Sequence, residues 1–256
     1  MGRNGRRIIE TQHFTIHDDQ CAMKIGTDAL LLGAWIDTSQ AMSIVDIGTG
    51  SGILLLMLAQ RAVPGARLIG LELNDAACTQ AKNNLEASPF DGEIVHCDAL
   101  KWLRESSGRS ERVDLLACNP PFFRNKPLGP DEARNLARHD IYMPIEDLLA
   151  SAKQSLSEQG QLCLVWPADR REELAKCAQQ TGLDIVRDCQ VEGHPQVQPL
   201  RHLLSLQHVG ESAPTPTKYS KLIIEEGPRM PGGSPLYTAA YKQLLGPYFP
   251  ELISVS

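Results

Sequence analysis

The chain has 256 residues, 42% of them hydrophobic and 22% charged, enough for one large α/β domain with a sizeable core. Its formal net charge of −6 excludes a global basic field, so a nucleic-acid partner needs a local positive patch. The seven cysteines include no Cys-x-x-Cys pair, and the longest apolar run is Ile53 to Ala59; a disulfide framework, a zinc site, a signal peptide and a membrane span are all disfavoured, and the expectation is a cytoplasmic monomer with no metal and no membrane partner.

Residues 1–12 open with Arg3, Arg6 and Arg7 and carry no acid before Glu10; they are expected to form a basic arm whose sharper use is contact with phosphates. Thr27 or Asp28 is placed to cap a helix through the apolar run Ala29 to Trp35. Strand and helix signals then alternate. Strands are expected at Ser43–Ile47, Leu68–Leu73, Glu93–Asp98, Val113–Cys118, Gln161–Trp166, Leu183–Val186 and Leu203–His208. The helices between them are expected at Gly52–Ala62, Asp75–Ala87, Pro144–Ser157 (stopped by Gly160) and Ala168–Gln180, with a further helix carrying Arg134 and Arg138. The pattern predicts a mostly parallel, twisted, seven-stranded sheet with helices on both faces. Residues 13–210 form this domain. Residues 211–256, with Pro/Gly loops, a short strand at Leu222–Ile224 and a helix from Tyr237 to Leu245, are expected as an extension packed on it.

Ligands of open parallel sheets sit outside the carboxyl ends of the strands. The first strand there runs into Asp46-Ile47-Gly48-Thr49-Gly50-Ser51-Gly52, where glycines permit positive φ and close backbone approach. The third position of a dinucleotide G-x-G-x-x-G falls on Ile53, which speaks against NAD or FAD. Glu72, at the end of the second strand, can accept both hydroxyls of a ribose, and Asp98, at the end of the third, an adenine amino group. Asp46, Glu72 and Asp98 around one crevice, with Gly48, Thr49, Gly50 and Gly52, suit a ligand with a cationic amino-acid end, a ribose and an adenine: S-adenosyl-L-methionine, leaving as S-adenosyl-L-homocysteine.

The fourth strand ends in Asn119-Pro120-Pro121-Phe122. An aromatic amine is a poor nucleophile because its lone pair is delocalised into the ring. The side-chain carbonyl of Asn119 and the backbone carbonyl of Pro120 can accept its two N–H groups, consecutive prolines stiffen the turn, and Phe122 can stack on a base. Cys118 does not stand in the Pro-Cys order of a cytosine-C5 nucleophile. Arg124, Lys126, Arg134 and Arg138 follow the turn as candidate RNA contacts; Arg134 and Arg138 are four apart and share a helix face.

The glycine turn together with Asn119 to Phe122 resembles the class I methyltransferases that modify exocyclic or amide nitrogens. His13-Phe14, Cys21 to Trp35 and Asp131 to His139 are similar to the corresponding stretches of the bacterial tRNA1(Val) (adenine-37-N6)-methyltransferase family. The resemblance covers roughly residues 10 to 210. It implies a Rossmann-like class I fold, S-adenosylmethionine as donor, a tRNA adenine held by Asn119 to Phe122, and a cofactor bordered by the stretch from Lys24 through Thr27 to Asp28. Guanine-N2 methylation of rRNA and glutamine-N5 methylation of protein use the same kind of turn and stand as alternatives; a nicotinamide oxidoreductase and a non-catalytic RNA-binding module are the rivals from other classes.

Overall fold

The computed structural model describes residues 8–106, 112–120, 143–210, 216–228 and 232–254. A short hairpin, β1 (Ile8–Glu10) and β2 (Thr15–His17), precedes helix α1 (Thr27–Trp35). Then come β3 (Ser43–Ile47), α2 (Ile53–Ala59), β4 (Arg67–Glu72), α3 (Asp75–Glu86), β5 (Glu93–His96), α4 (Ala99–Ser106) and β6 (Val113–Cys118). The chain continues through α5 (Ile145–Ser155), β7 (Leu156–Pro167), α6 (Arg171–Thr181), β8 (Leu183–Glu192), β9 (Arg201–His208), β10 (Lys218–Ile223), α7 (Ala239–Leu245) and α8 (Glu251–Ser254). The expected arm residues Arg3, Arg6 and Arg7, the turn residues Pro121 and Phe122, and Arg124, Lys126, Arg134 and Arg138 lie outside the described residues.

The sheet has the order β10-β8-β9-β7-β6-β3-β4-β5. It holds eight strands, one more than expected, because Lys218–Ile223 adds in parallel beside β8. β3, β4, β5, β6 and β7 are parallel neighbours, whereas β9 runs antiparallel between β7 and β8. The carboxyl ends of all the strands but β9, and the amino end of β9, therefore share one edge. Apolar residues alternate between two faces, as they must in a sheet covered on both sides. Ile44, Leu115 and Val165 pack with α1, α2, α3 and α7; Val45, Leu116 and Leu164 pack with α4, α5 and α6.

Several boundaries differ from expectation for physical reasons. Helix α1 is capped by Gly26 without a side-chain hydrogen bond, rather than by Thr27 or Asp28. Gly160 does not stop α5; it lies inside β7, beside a register shift opposite Val113, where an added Cβ would stand 2.6 Å from the Val113 carbonyl oxygen. Strand β8 runs on through Arg187, Asp188, Gln190 and Glu192, polar residues that hide a strand in the sequence. At the start of α3, the Asn74 side chain accepts the N–H of Ala77 at 3.0 Å. Among the described residues no helix is long and apolar enough to cross a membrane.

The C-terminal segment packs back on the first helices and is tied to them by a polar cluster around Tyr248. Arg61 Nε donates to the Tyr248 hydroxyl at 2.5 Å, that hydroxyl donates to the Met57 carbonyl at 3.0 Å, and Arg61 Nη2 donates to the carbonyls of Gly33 and Ile36. Replacing Tyr248 by Phe leaves a half-buried guanidinium donor and a buried carbonyl short of partners, which costs about 1–3 kcal/mol. Denaturant unfolding of Y248F should show a loss of this size.

Candidate active site

The site begins with the backbone of the turn after β3. Gly48, Gly50 and Gly52 all have positive φ, at 68°, 57° and 87°, a region in which side chains are strained. Thr49 N–H donates to the Leu71 carbonyl at 2.9 Å, and Gly52 N–H to the Thr49 carbonyl at 2.8 Å. Gly50 N–H donates to Glu72 Oε2 at 2.8 Å, and the other Glu72 oxygen accepts from Asn74 N–H at 2.8 Å. Behind the turn, Asp46 Oδ2 accepts the Thr49 hydroxyl at 2.6 Å.

A cavity of about 520 Å³ opens along the carboxyl ends of β3, β4, β5 and β6. Gly48, Gly50, Glu72, Asp98, Asn119 and Pro120 all line it. An added Cβ at Gly48 or Gly50 would meet nothing within 4 Å, so both backbones lie open to a ligand. Asp98 Oδ1 also accepts the N–H of Lys101 at 3.1 Å, capping α4; the helix cap and the cavity wall are the same carboxylate.

Lys24, Thr27, Asp28, Asp46, Thr49 and Gly52 are not among the lining residues. Thr49 and Asp46 sit behind the turn, and Gly52 packs against Ala81. Lys24 Nζ donates to the carbonyls of Asp18, Asp19 and Cys21 at 2.6, 3.2 and 3.1 Å, tightening its own loop. Asp28 is paired with Arg201 at 3.0 Å, over the start of β9. The wall expected from Lys24, Thr27 and Asp28 is instead built by Cys21, Ala22 and Met23. That loop is pinned by two α3 side chains: Asn84 bonds both backbone groups of His17 and the Ser51 carbonyl, and Gln80 accepts the Gln20 N–H. Their polar spacing on an otherwise exposed-looking helix is the only trace of this contact in the sequence.

The electrostatics follow from burial beside carboxylates. Burial, aided by the Glu72 charge and opposed by the Thr49 hydroxyl, pushes the Asp46 carboxyl up to about 7. Burial and the charges of Glu72 and Asp18 raise the Cys21 thiol to about 12; burial and Asp98 raise Cys97 to about 11; burial raises Cys118 as well. These three thiols line the cavity and are neutral at physiological pH, so none is an activated nucleophile.

Fold and crevice together define a class I, S-adenosylmethionine-dependent methyltransferase architecture: a mostly parallel sheet, a glycine turn after its central strand, and acids at the ends of the next two. The chain belongs to the methyltransferase small domain family, whose family model matches residues 20–175. It is similar to the tRNA1(Val) (adenine(37)-N6)-methyltransferase of Parabacteroides distasonis, with 38% identity over 85% of this chain and 89% of the relative. The enzyme of that name from Porphyromonas gingivalis is 37% identical over 94% of each chain, and that of Yersinia pseudotuberculosis 34% identical over 93% of this chain and 90% of the relative. Among solved structures, a predicted O-methyltransferase from Agrobacterium tumefaciens superposes with a TM-score of 0.64 at 21% identity, covering 86% of this chain and 96% of that one. A putative class I S-adenosylmethionine-dependent methyltransferase from Listeria monocytogenes gives a TM-score of 0.53 at 14% identity, covering 88% and 68%.

The raised Asp46 carboxyl leaves a signature in stability. It stays protonated in the folded protein up to about pH 7, whereas in the unfolded chain it ionises near 3.8. The folded state therefore binds the extra proton within that window, and stability falls as the pH rises through it. Urea unfolding at a series of pH values should show this fall in the wild type and a flatter profile in Asp46→Asn.

Proposed function

We propose that this protein transfers a methyl group from S-adenosylmethionine to the exocyclic N6 of an adenine in tRNA, at position 37 of tRNA1(Val). The observation that carries the reading is that Asn119 and Pro120, at the end of β6, line the same cavity as Gly48, Gly50 and Glu72. An acceptor pair for an amine thus faces a cofactor cradle. The names of the relatives support the substrate.

The cavity fits the cofactor by chemistry. Gly48 and Gly50 offer open backbone for its amino-acid end, Glu72 retains lone pairs for ribose hydroxyls after accepting two N–H groups, and Asp98 stands at the far wall beside Leu100 for an adenine. When bound, the cofactor supplies a methyl group activated on a sulfonium. The rest of the work is positioning. The Asn119 side-chain carbonyl and the Pro120 carbonyl accept the two N–H groups of the target and draw its nitrogen toward tetrahedral geometry, and Phe122 stacks on the base. Holding nucleophile and electrophile in line supplies roughly 7–11 kcal/mol in favourable cases. The proton leaves after attack, so no strong base is called on. Arg124, Lys126, Arg134 and Arg138, with the arm at Arg3, Arg6 and Arg7, are the proposed RNA contacts, and the enzyme is taken to act as a cytoplasmic monomer without a metal.

The deciding assay supplies methyl-labelled cofactor with unmodified tRNA, rRNA or release factor, then digests the product. N6-methyladenosine from tRNA is expected. N2-methylguanosine or methylglutamine would overturn the substrate while keeping the chemistry. Asn119→Ala should lower the rate roughly 10²- to 10³-fold, the scale of losing one preorganised polar contact, with homocysteine-cofactor binding unchanged by calorimetry. In the same titration Glu72→Ala should weaken S-adenosylhomocysteine about 10- to 100-fold, as expected for hydrogen bonds to a charged group.

A further inference from the structure

Among the described residues, the buried Asp, Glu and His side chains fall into two groups. Asp18 and Asp46 belong to the loop and turn of the cofactor cavity; Asp188, Glu192 and His202 lie together on β8 and β9. Glu192 is answered by Lys221 at 2.8 Å. Asp188 is the centre of a tighter cluster: its Oδ1 is 2.5 Å from His202 Nδ1, and its Oδ2 accepts from Arg171 Nε at 2.9 Å. Burial alone would raise the Asp188 carboxyl, but hydrogen bonds and charge from His202 and Arg171 outweigh it and hold the group below its ordinary value.

Strand register places this cluster beside the catalytic turn. Cys118 of β6 pairs with Leu164 of β7, and two residues further on Trp166 pairs with His202 of β9. His202 is thus level with Pro120, two strand spacings away, or about 10 Å. It shares the sheet face of Leu204 and Leu164, as does Asp188, which pairs with Leu204. Arg171 opens α6 at the same edge. The cofactor cavity takes up the ends of β3 to β6, so the cluster stands on the other half of the ligand-binding edge.

Stability alone does not account for it. A buried ion network pays a desolvation penalty that well-packed apolar residues avoid, and the surrounding face is apolar. Arg171 uses only Nε on Asp188 and is 23% exposed; its Nη donors have no partner among the described residues. Nearby, Arg170 is paired with Glu173 and Arg201 with Asp28, so the edge is close to neutral and acts through directed donors rather than through a field.

We propose that Arg171, braced by Asp188 beside His202, donates hydrogen bonds to an acceptor oxygen of the nucleotide that flanks the target base, either a phosphate or a base carbonyl. This rests on the RNA reading above. Steady-state methylation of tRNA by Arg171→Gln tests it: KM for tRNA should rise about tenfold, the worth of one lost contact, with kcat at saturation and S-adenosylhomocysteine affinity unchanged. A salt dependence of KM shallower by about one unit of slope than in the wild type assigns the contact to a phosphate. An unchanged slope, with a defect that varies when the flanking base is replaced, assigns it to a base carbonyl. Since R171Q leaves Asp188 with one partner, the double variant Arg171→Gln/Asp188→Asn, free of that lone charge, should show the same KM defect. An unchanged KM in either variant overturns the proposal, and so does joint loss of kcat, KM and cofactor affinity, which would make Arg171 a structural strut. A wild type that binds cofactor but never methylates tRNA would instead sink the RNA reading, and this inference with it.

Discussion

Glu72 holds the backbone N–H of Gly50 on one carboxylate oxygen and that of Asn74 on the other, and much of the site depends on this pair of hydrogen bonds. It fixes the glycine turn after β3, with its positive φ angles, against the end of β4. It also sets the start of α3, where Asn74 caps the helix. From α3, Asn84 and Gln80 reach out to hold the loop that supplies Cys21 to Met23. One buried-edge anion thereby orders three walls of the cavity and still has lone pairs for a ligand hydroxyl.

The same charge shapes the chemistry of its neighbours. Placed close to Asp46 and Cys21, Glu72 adds to burial in raising both. With Asp46 behind the turn and the lining thiols neutral, Glu72 and Asp98 are the acids that line the cavity. The result is a crevice without an activated nucleophile or a strong base, which suits a reaction in which the substrate nitrogen attacks and the protein only orients it. Cys118 illustrates the point: it sits immediately before Asn119 and Pro120, yet its thiol is buried and raised.

The central α/β alternation was legible because its strands are short, β-branched and apolar, with glycine or asparagine at their ends. Ser43–Ile47 and Val113–Cys118 match the expected bounds to the residue. Helix α4 went unseen, its start being masked by Asp98, which reads equally well as a strand end. The hairpin of Ile8–Glu10 with Thr15–His17 was unseen too, being made of three-residue strands with no turn signature. Strand β8 was cut short because its second half carries charges that are satisfied only across the sheet. For the candidate site, Gly48, Gly50, Glu72, Asp98, Asn119 and Pro120, expected from strand-end chemistry, all reach one cavity. Lys24 and Asp28 carry local signals as strong, but their hydrogen bonds are spent on a loop and on Arg201. No one-dimensional pattern distinguishes a charge facing a ligand from one facing a distant strand.

Strand β9 explains how Arg201 and His202 come to stand at the edge that carries the cavity. Because β9 runs antiparallel, its amino end, with Arg201 and His202, arrives at the edge where its neighbours β7 and β8 present their carboxyl ends. A fully parallel arrangement would bring the other end of that strand, Gln207 and His208, to the edge instead. Arg201 and His202 are thus delivered next to Asn119 and Pro120 from a strand whose interior is core, Leu203 and Leu204 being fully buried. Each of these side chains meets an acid that fixes its direction: Asp28 for Arg201, and Asp188 for His202 and Arg171. Paired cations add little long-range attraction, which is consistent with a net charge of −6, but their donors are held in place before a ligand arrives. Donors held in this way lose less ordering entropy on meeting a ligand, and on the proposed reading such an edge favours discrimination between RNAs over indiscriminate capture.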